Sequence, residues 1–190
     1  MTDRTAVLAS VAQLLDSGDT SSAAAVIRRD YAFEPIEAIE RKYGALQATR
    51  VYVRDGFIDR YSGTRLIFPG VLRLLSLHLP TDFPFHPNWK MSETHEAYWE
   101  LSATVDHVVP VTRGGANSEE NWVTTSMRRN SAKANWTLEE LGWTVLPPGR
   151  LDDWDGLLSW FRNHLHRNQQ FLANSHVRRW HRAAIAVAAR

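Results

Sequence analysis

Apolar residues recur at helical spacing at both ends of the chain and change rhythm in the middle. Val7, Leu8, Val11, Leu14 and Leu15 mark one stripe of a helix from Ala6 to Leu15, and Ser17-Gly18-Asp19 ends it. Thr20 or Ser21 is placed to cap a second helix through Ala23–Ile27 to about Tyr31. Pro35 opens a short third one through Ile36, Ile39 and Tyr43. None of these segments has catalytic spacing, so residues 1–47 read as a helical module for packing or partner binding.

The rhythm then changes. Arg50-Val51-Tyr52-Val53-Arg54 alternates like a strand, Asp55-Gly56 is a turn dipeptide, and Phe57 to Tyr61 predicts the returning strand of a hairpin. Residues 63–104 mix Pro69, Pro80, Pro84 and Pro87 with Phe68, Phe83, Phe85, Trp89, Tyr98 and Trp99 around one helix at Val71–Leu79. Aromatics at that density predict irregular but buried structure. Towards the C-terminus, Asp152-Asp153 starts a helix containing Leu157, Leu158, Trp160, Phe161 and Leu165, where acidic residues suit the dipole. A last helix, Val177–Ala189, carries Arg178, Arg179 and Arg182 around an Ala/Ile/Val stripe, with Arg190 just beyond it.

Composition narrows the class. The chain has 190 residues, within the ~100–200 of one domain, and no apolar run approaches the ~20 residues of a membrane span. The segment after Met1 lacks a signal-peptide core, and there are no cysteines, which excludes disulfides, iron–sulfur clusters, thiol catalysis and Cys-bound zinc. A cytoplasmic protein with no membrane partner is expected. The net charge of +1 conceals a gradient: 12 basic and 16 acidic residues in 1–127, then 10 basic and 5 acidic in 128–190. The C-terminal third is therefore the candidate surface for an anion.

Several familiar sites are missing: no G-x-S-x-G elbow, no phosphate-binding G-x-x-x-x-G-K-[ST] loop and no G-x-G-x-x-G fingerprint. His95-Glu96-Ala97-Tyr98-Trp99 begins like a zinc-protease helix, but a tryptophan stands where the second histidine belongs. One stretch stands apart, running from Val105-Asp106-His107 through Pro110, Arg113-Gly114-Gly115 and Asn121-Trp122 to Asn130 and Lys133. An apolar strand ends in Asp-His, a wide loop follows, and a second strand Trp122–Thr125 leads into a helix. That helix puts Asn130 and Lys133 on one face. If the strands pair and the helix crosses them, Asp106, His107 and Asn130 converge.

In these residues the chain resembles the HNH endonuclease family, whose core is a ββα-metal finger. The match is Asp-His, an Asn 14 residues after the His, a second Asn 9 residues further on, the Gly-Gly loop and the Lys three residues beyond. Asn in the third position is a common variant. Arg54-Asp55-Gly56-Phe57 looks like the hairpin that opens many of these domains. The resemblance implies that His107 is the general base, that Asp106 and Asn130 hold Mg²⁺ or Mn²⁺, and that Asn121 ties down the loop that fixes His107. Lys133 would reach a phosphate oxygen, and Arg113, Arg128 and Arg129 would take flanking phosphates. Histidine suits the role because imidazole titrates near neutrality. Two oxygen ligands suit Mg²⁺, which keeps several waters. Arg178, Arg179 and Arg182 are further candidates for nucleic-acid contact.

Zinc-ribbon relatives clamp the finger with two Cys pairs. The aligned positions here are Asp59, Ser62, Ser126 and Arg129, so no structural zinc is expected. Packing from Leu66, Phe68, Leu72, Leu75, Phe83, Phe85, Trp89 and Trp99 would replace it. His78, His86 and His95 read as core or surface, His164, His166, His176 and His181 as surface, and Trp122 and Trp136 as core. The expected fold is α+β, with an N-terminal helical module (1–47), an HNH domain (48–143) with insertion 63–104 and core 105–135, and basic C-terminal helices (144–190). The expected function is metal-dependent hydrolysis of DNA, leaving 5′-phosphate and 3′-hydroxyl ends. RNA stays open as substrate, as do a homodimer and a regulatory partner on the N-terminal helices. The alternatives are a nucleic-acid-binding module that cuts poorly and a partner-activated effector.

Overall fold

The computed structural model describes residues 3–33 and 43–188. The chain divides into two compact units, Met1–Ala38 and Ile39–Arg190. In the first, α1 (Arg4–Asp16) and α2 (Thr20–Asp30) pack against each other. Asp3 caps α1, its carboxylate accepting from Thr5 N at 2.9 Å. Asp19 rather than Thr20 or Ser21 caps α2, accepting from Ser22 N at 3.0 Å. The helix expected from Pro35 lies largely on residues 34–42, outside the described ones.

The second unit opens with a correction. Residues expected to form a strand belong to helix α3 (Ala45–Arg54). Ala45-Leu46-Gln47-Ala48 upstream are good helix formers, and Ala48, Thr49, Val51 and Tyr52 form one buried face. That face packs on both strands of the sheet and on the last helix. Asp55-Gly56 is then a helix end and not a hairpin turn. Gly56 (φ +63°) and Phe57 (φ +50°) reverse the chain, and only an isolated bridge, Ile58 to Arg65, follows. A side chain on Gly56 would strike the Gly149 backbone at 2.3 Å.

Next come α4 (Pro69–His78), with Pro at its first position, and α5 (Ala97–Glu100). Strand β1 (Ala103–His107) pairs antiparallel with β2 (Trp122–Ser126), from Ala103 opposite Ser126 to His107 opposite Trp122. Helix α6 (Met127–Lys133) follows β2 directly, then α7 (Leu138–Leu141), α8 (Leu158–Arg167) and α9 (Ser175–Ala188). The fold is α+β: among the described residues, nine α-helices and one two-stranded sheet. Helix α8 does not begin at Asp152-Asp153. Asp155 performs that role, accepting from Leu157 N and Ser159 N at 2.9 Å each. No helix among the described residues is long and apolar enough to cross a membrane.

The core joins Val51, Tyr52, Phe57, Leu66 and Phe68 to Val105 and Trp122 of the sheet, and to Phe161, Leu165, Val177 and Trp180 of α8 and α9. The Phe68 ring meets Phe161 at 5.2 Å and Trp180 at 5.3 Å. Residues 158–188 therefore share one core with the centre, and no division falls at the expected boundary near 143. In the insertion, Leu66, Phe68 and Leu72 are fully buried. Phe83, Phe85, Trp89 and Trp99 are only partly buried, around Leu72 and Tyr98. Trp122 is core as expected, whereas Trp136 is 52% exposed. Phe161→Ala, which empties the contact between α8 and Phe68, is expected to cost ~3–5 kcal/mol in denaturant unfolding.

Candidate functional site

Both strands are wholly buried, and consecutive side chains leave a strand on opposite faces. His107 and Val105 share one face with Trp122 and Thr124; Asp106 and Thr104 share the other with Val123 and Thr125. Helix α6 packs on both strands. Its start is fixed by Ser126, whose Oγ accepts from Arg129 N at 3.2 Å. One and two turns later, Asn130 and Lys133 arrive beside β1.

Lys133 is fully buried. Its Nζ lies 3.0 Å from Asp106 Oδ2 and donates to His107 O at 2.7 Å. Tyr61 donates its phenol hydrogen to the same Asp106 oxygen at 2.7 Å. Burial, with Asp106 close by, pushes the Tyr61 phenol well above its ordinary range, so it remains a donor. Asn130 donates through Nδ2 to Thr104 Oγ1 (3.3 Å) and Val105 O (3.2 Å). Asp106 Oδ1 and Asn130 Oδ1 accept from no donor among the described residues.

The His107 ring goes elsewhere. Trp122 Nε1–H donates to His107 Nε2 at 2.9 Å. An indole N–H only donates, so Nε2 carries the lone pair and Nδ1 the proton. Asn117 Oδ1 lies 2.9 Å from the same Nε2; with Nε2 accepting from Trp122, that contact becomes a hydrogen bond when the amide is turned to present its NH₂. No hydrogen bond among the described residues joins the imidazole to Asp106 or Asn130. In this structure the His107 ring is held by Trp122 and Asn117, and the Asp106 carboxylate by Lys133 and Tyr61. Lys133, expected to reach a phosphate oxygen, instead has no exposure here and anchors Asp106 and the His107 carbonyl.

Asn121 binds across the loop between the strands. Its Oδ1 accepts from Val109 N at 2.9 Å, and its Nδ2 donates to Val109 O and Ala116 O at 2.8 Å each. The loop closes so tightly that a Cβ on Gly115 would lie 1.9 Å from Val109 O. Gly114 turns the chain there with φ +84°. The candidate arginines are dispersed. Arg113 faces Glu140 at 3.5 Å and Arg128 pairs with Glu100 at 2.9 Å. Arg129 lies 5.0 Å over the Trp143 ring. On α9, Arg178 donates to Leu172 O, Arg179 covers Trp180, and Arg182 is exposed.

Two residues that matter here were not anticipated as partners of β2. Asp59 Oδ2 accepts from Ser126 N at 2.9 Å and Thr125 Oγ1 at 3.2 Å. Asp55 Oδ2 accepts from Thr124 N at 2.7 Å, and its Oδ1 from Arg60 at 2.6 Å. Both carboxylates are at most 1% exposed. Asp59 and Ser126 thus bond each other directly, through the Ser126 backbone N–H. The available signal was a pair of aspartates inside an otherwise apolar stretch.

Among the described residues no three His, Cys, Asp or Glu side chains converge on a metal position. Asp106 and Asn130 supply two oxygens, which fits an ion that keeps most of its water. The ammonium on the other Asp106 oxygen repels a dication, so binding there would be weak. No family model matches the chain, and neither the curated proteins nor the solved structures gave a match. Lys133→Met is expected to destabilise the protein by ~3–5 kcal/mol, because it strands a buried carboxylate. Lys133→Met with Asp106→Leu should recover most of that loss in thermal or urea melts.

Proposed function

We propose that the protein is a metal-dependent endonuclease that hydrolyses DNA phosphodiesters, leaving 5′-phosphate and 3′-hydroxyl ends. The observation that carries the reading is the antiparallel pair β1–β2 with α6 laid on it. It brings together Asp106, Asn130 and Lys133, with His107 as the last residue of β1. A divalent ion held by Asp106 and Asn130 would polarise the phosphate and stabilise the departing oxygen. His107, with its lone pair on Nε2, takes the proton of the attacking water once substrate displaces the Trp122 or Asn117 partner. Lys133 holds Asp106 and the His107 carbonyl at fixed spacing. Asn121 keeps the loop closed, and Asn117 reaches His107 from that loop.

A second reading has an observation of its own. Both His107 Nε2 and Asp106 Oδ2 are engaged within the protein. That favours a nucleic-acid-binding module that cuts poorly, or a nuclease activated by a partner. His107→Asn separates these readings from the main one. An amide can still accept from Trp122 Nε1–H, so the fold should hold, but it cannot act as the base. Cleavage of duplex DNA with Mg²⁺ should fall ~10²- to 10⁴-fold, with DNA binding retained in EDTA. Unchanged cleavage would remove His107 from the chemistry. Absence of cleavage by the wild type alongside binding favours the second reading.

A further inference from the structure

The insertion aromatics form something other than a closed core. Phe85, Trp89 and Tyr98 cluster, with Phe85–Tyr98 centroids 4.9 Å apart and Trp89–Tyr98 5.7 Å apart. Tyr52 and Trp180 form a second group, 6.2 Å apart. Both groups line one cavity of about 500 Å³, within the usual range for small-molecule sites. No ring contact among the described residues bridges the two groups. Trp89 has φ +54°, a left-handed backbone that a bulky residue rarely adopts. Such a conformation persists only where the surroundings hold it, and here it goes with a ring at the cavity wall.

The polar lining is sparse. Arg179 is the one charged side chain among the lining residues, 5.5 Å over the Trp180 ring. His176 also lines the cavity and accepts from Trp180 Nε1–H at 3.0 Å. Burial, with Arg179 and Arg73 near, holds its pKa down to about 4, so it stays neutral at physiological pH. The floor is the start of β1 and the residue before it. Ser102, Ala103 and Thr104 line the cavity, and Thr104 is the residue to which Asn130 donates. A cavity with aromatic walls and one guanidinium is suited to a planar heteroaromatic ring attached to an anion.

We propose that this cavity takes up a single unstacked nucleobase, sandwiched by the aromatic walls, with its phosphate on Arg179. The site deepens the nuclease reading and rests on it, since the base would sit against the strand that carries Asp106 and His107. Capture of one base presents the adjoining backbone to β1 and favours single-stranded or locally unpaired substrate.

The test compares short single-stranded oligonucleotides with abasic strands of equal length and phosphate count, bound in EDTA and monitored by anisotropy. Wild type should prefer the base-bearing strand by roughly 5- to 150-fold. Trp89→Ala should abolish the preference while leaving affinity for the abasic strand unchanged. Met127→Trp, which fills the cavity from the first residue of α6, serves as an independent variant if Trp89→Ala unfolds. Cleavage of plasmid DNA by wild type is measured in parallel. Cleavage without any base preference overturns the pocket and leaves the nuclease reading standing. A preference that survives both variants also overturns it, since the base is then held elsewhere. Neither binding nor cleavage overturns both.

Discussion

A lysine ammonium with no exposure to solvent organises the β1–β2–α6 unit. Burying a charge is costly unless its partners are close and well directed. Lys133 has Asp106 at 3.0 Å and the His107 carbonyl at 2.7 Å. Both partners belong to the end of β1, so the helix that carries Lys133 must finish over that end. Ala134, at φ +46°, turns the chain away immediately afterwards. The position of Asn130 one turn earlier follows, and so does its bond to Thr104 and Val105. The interaction that builds the unit also sets its chemistry, since Asp106 meets any incoming cation with one oxygen already taken.

The other side of the sheet faces a different problem. A two-stranded sheet has two open edges whose N–H groups need partners. On β2 the outward N–H groups of Thr124 and Ser126 are met by the carboxylates of Asp55 and Asp59. Arg60 N donates to Thr124 O at 2.9 Å, which completes the pairing along that edge. Residues 55–61 thus act as a third strand made partly of side chains. Asp59 fastens Ser126 directly, and Leu66 and Phe68 pack in the same core as Val105 and Trp122 of the sheet.

The order strand, loop, strand and helix over 105–133 was legible because two apolar runs, a Pro/Gly loop between them and a helical stretch follow one another there. The helices with clear 3.6-residue spacing were legible as well. Residues 50–54 were not, because Val51-Tyr52-Val53 alternates while the face that is buried is decided by α9, far away in sequence. The boundary near 143 failed for the same reason: Phe161 and Trp180 reveal nothing of Phe68 until the chain folds.

The central question is whether the β1–β2–α6 unit breaks phosphodiester bonds. The most direct measurement is incubation of the full chain with supercoiled plasmid at graded Mg²⁺, followed by analysis of the new ends. The account predicts Mg²⁺-dependent nicking that needs concentrations well above those of tight sites, gives 5′-phosphate and 3′-hydroxyl termini and stops in EDTA. Plasmid that stays supercoiled at every Mg²⁺ concentration, or nicking that continues in EDTA, would contradict it.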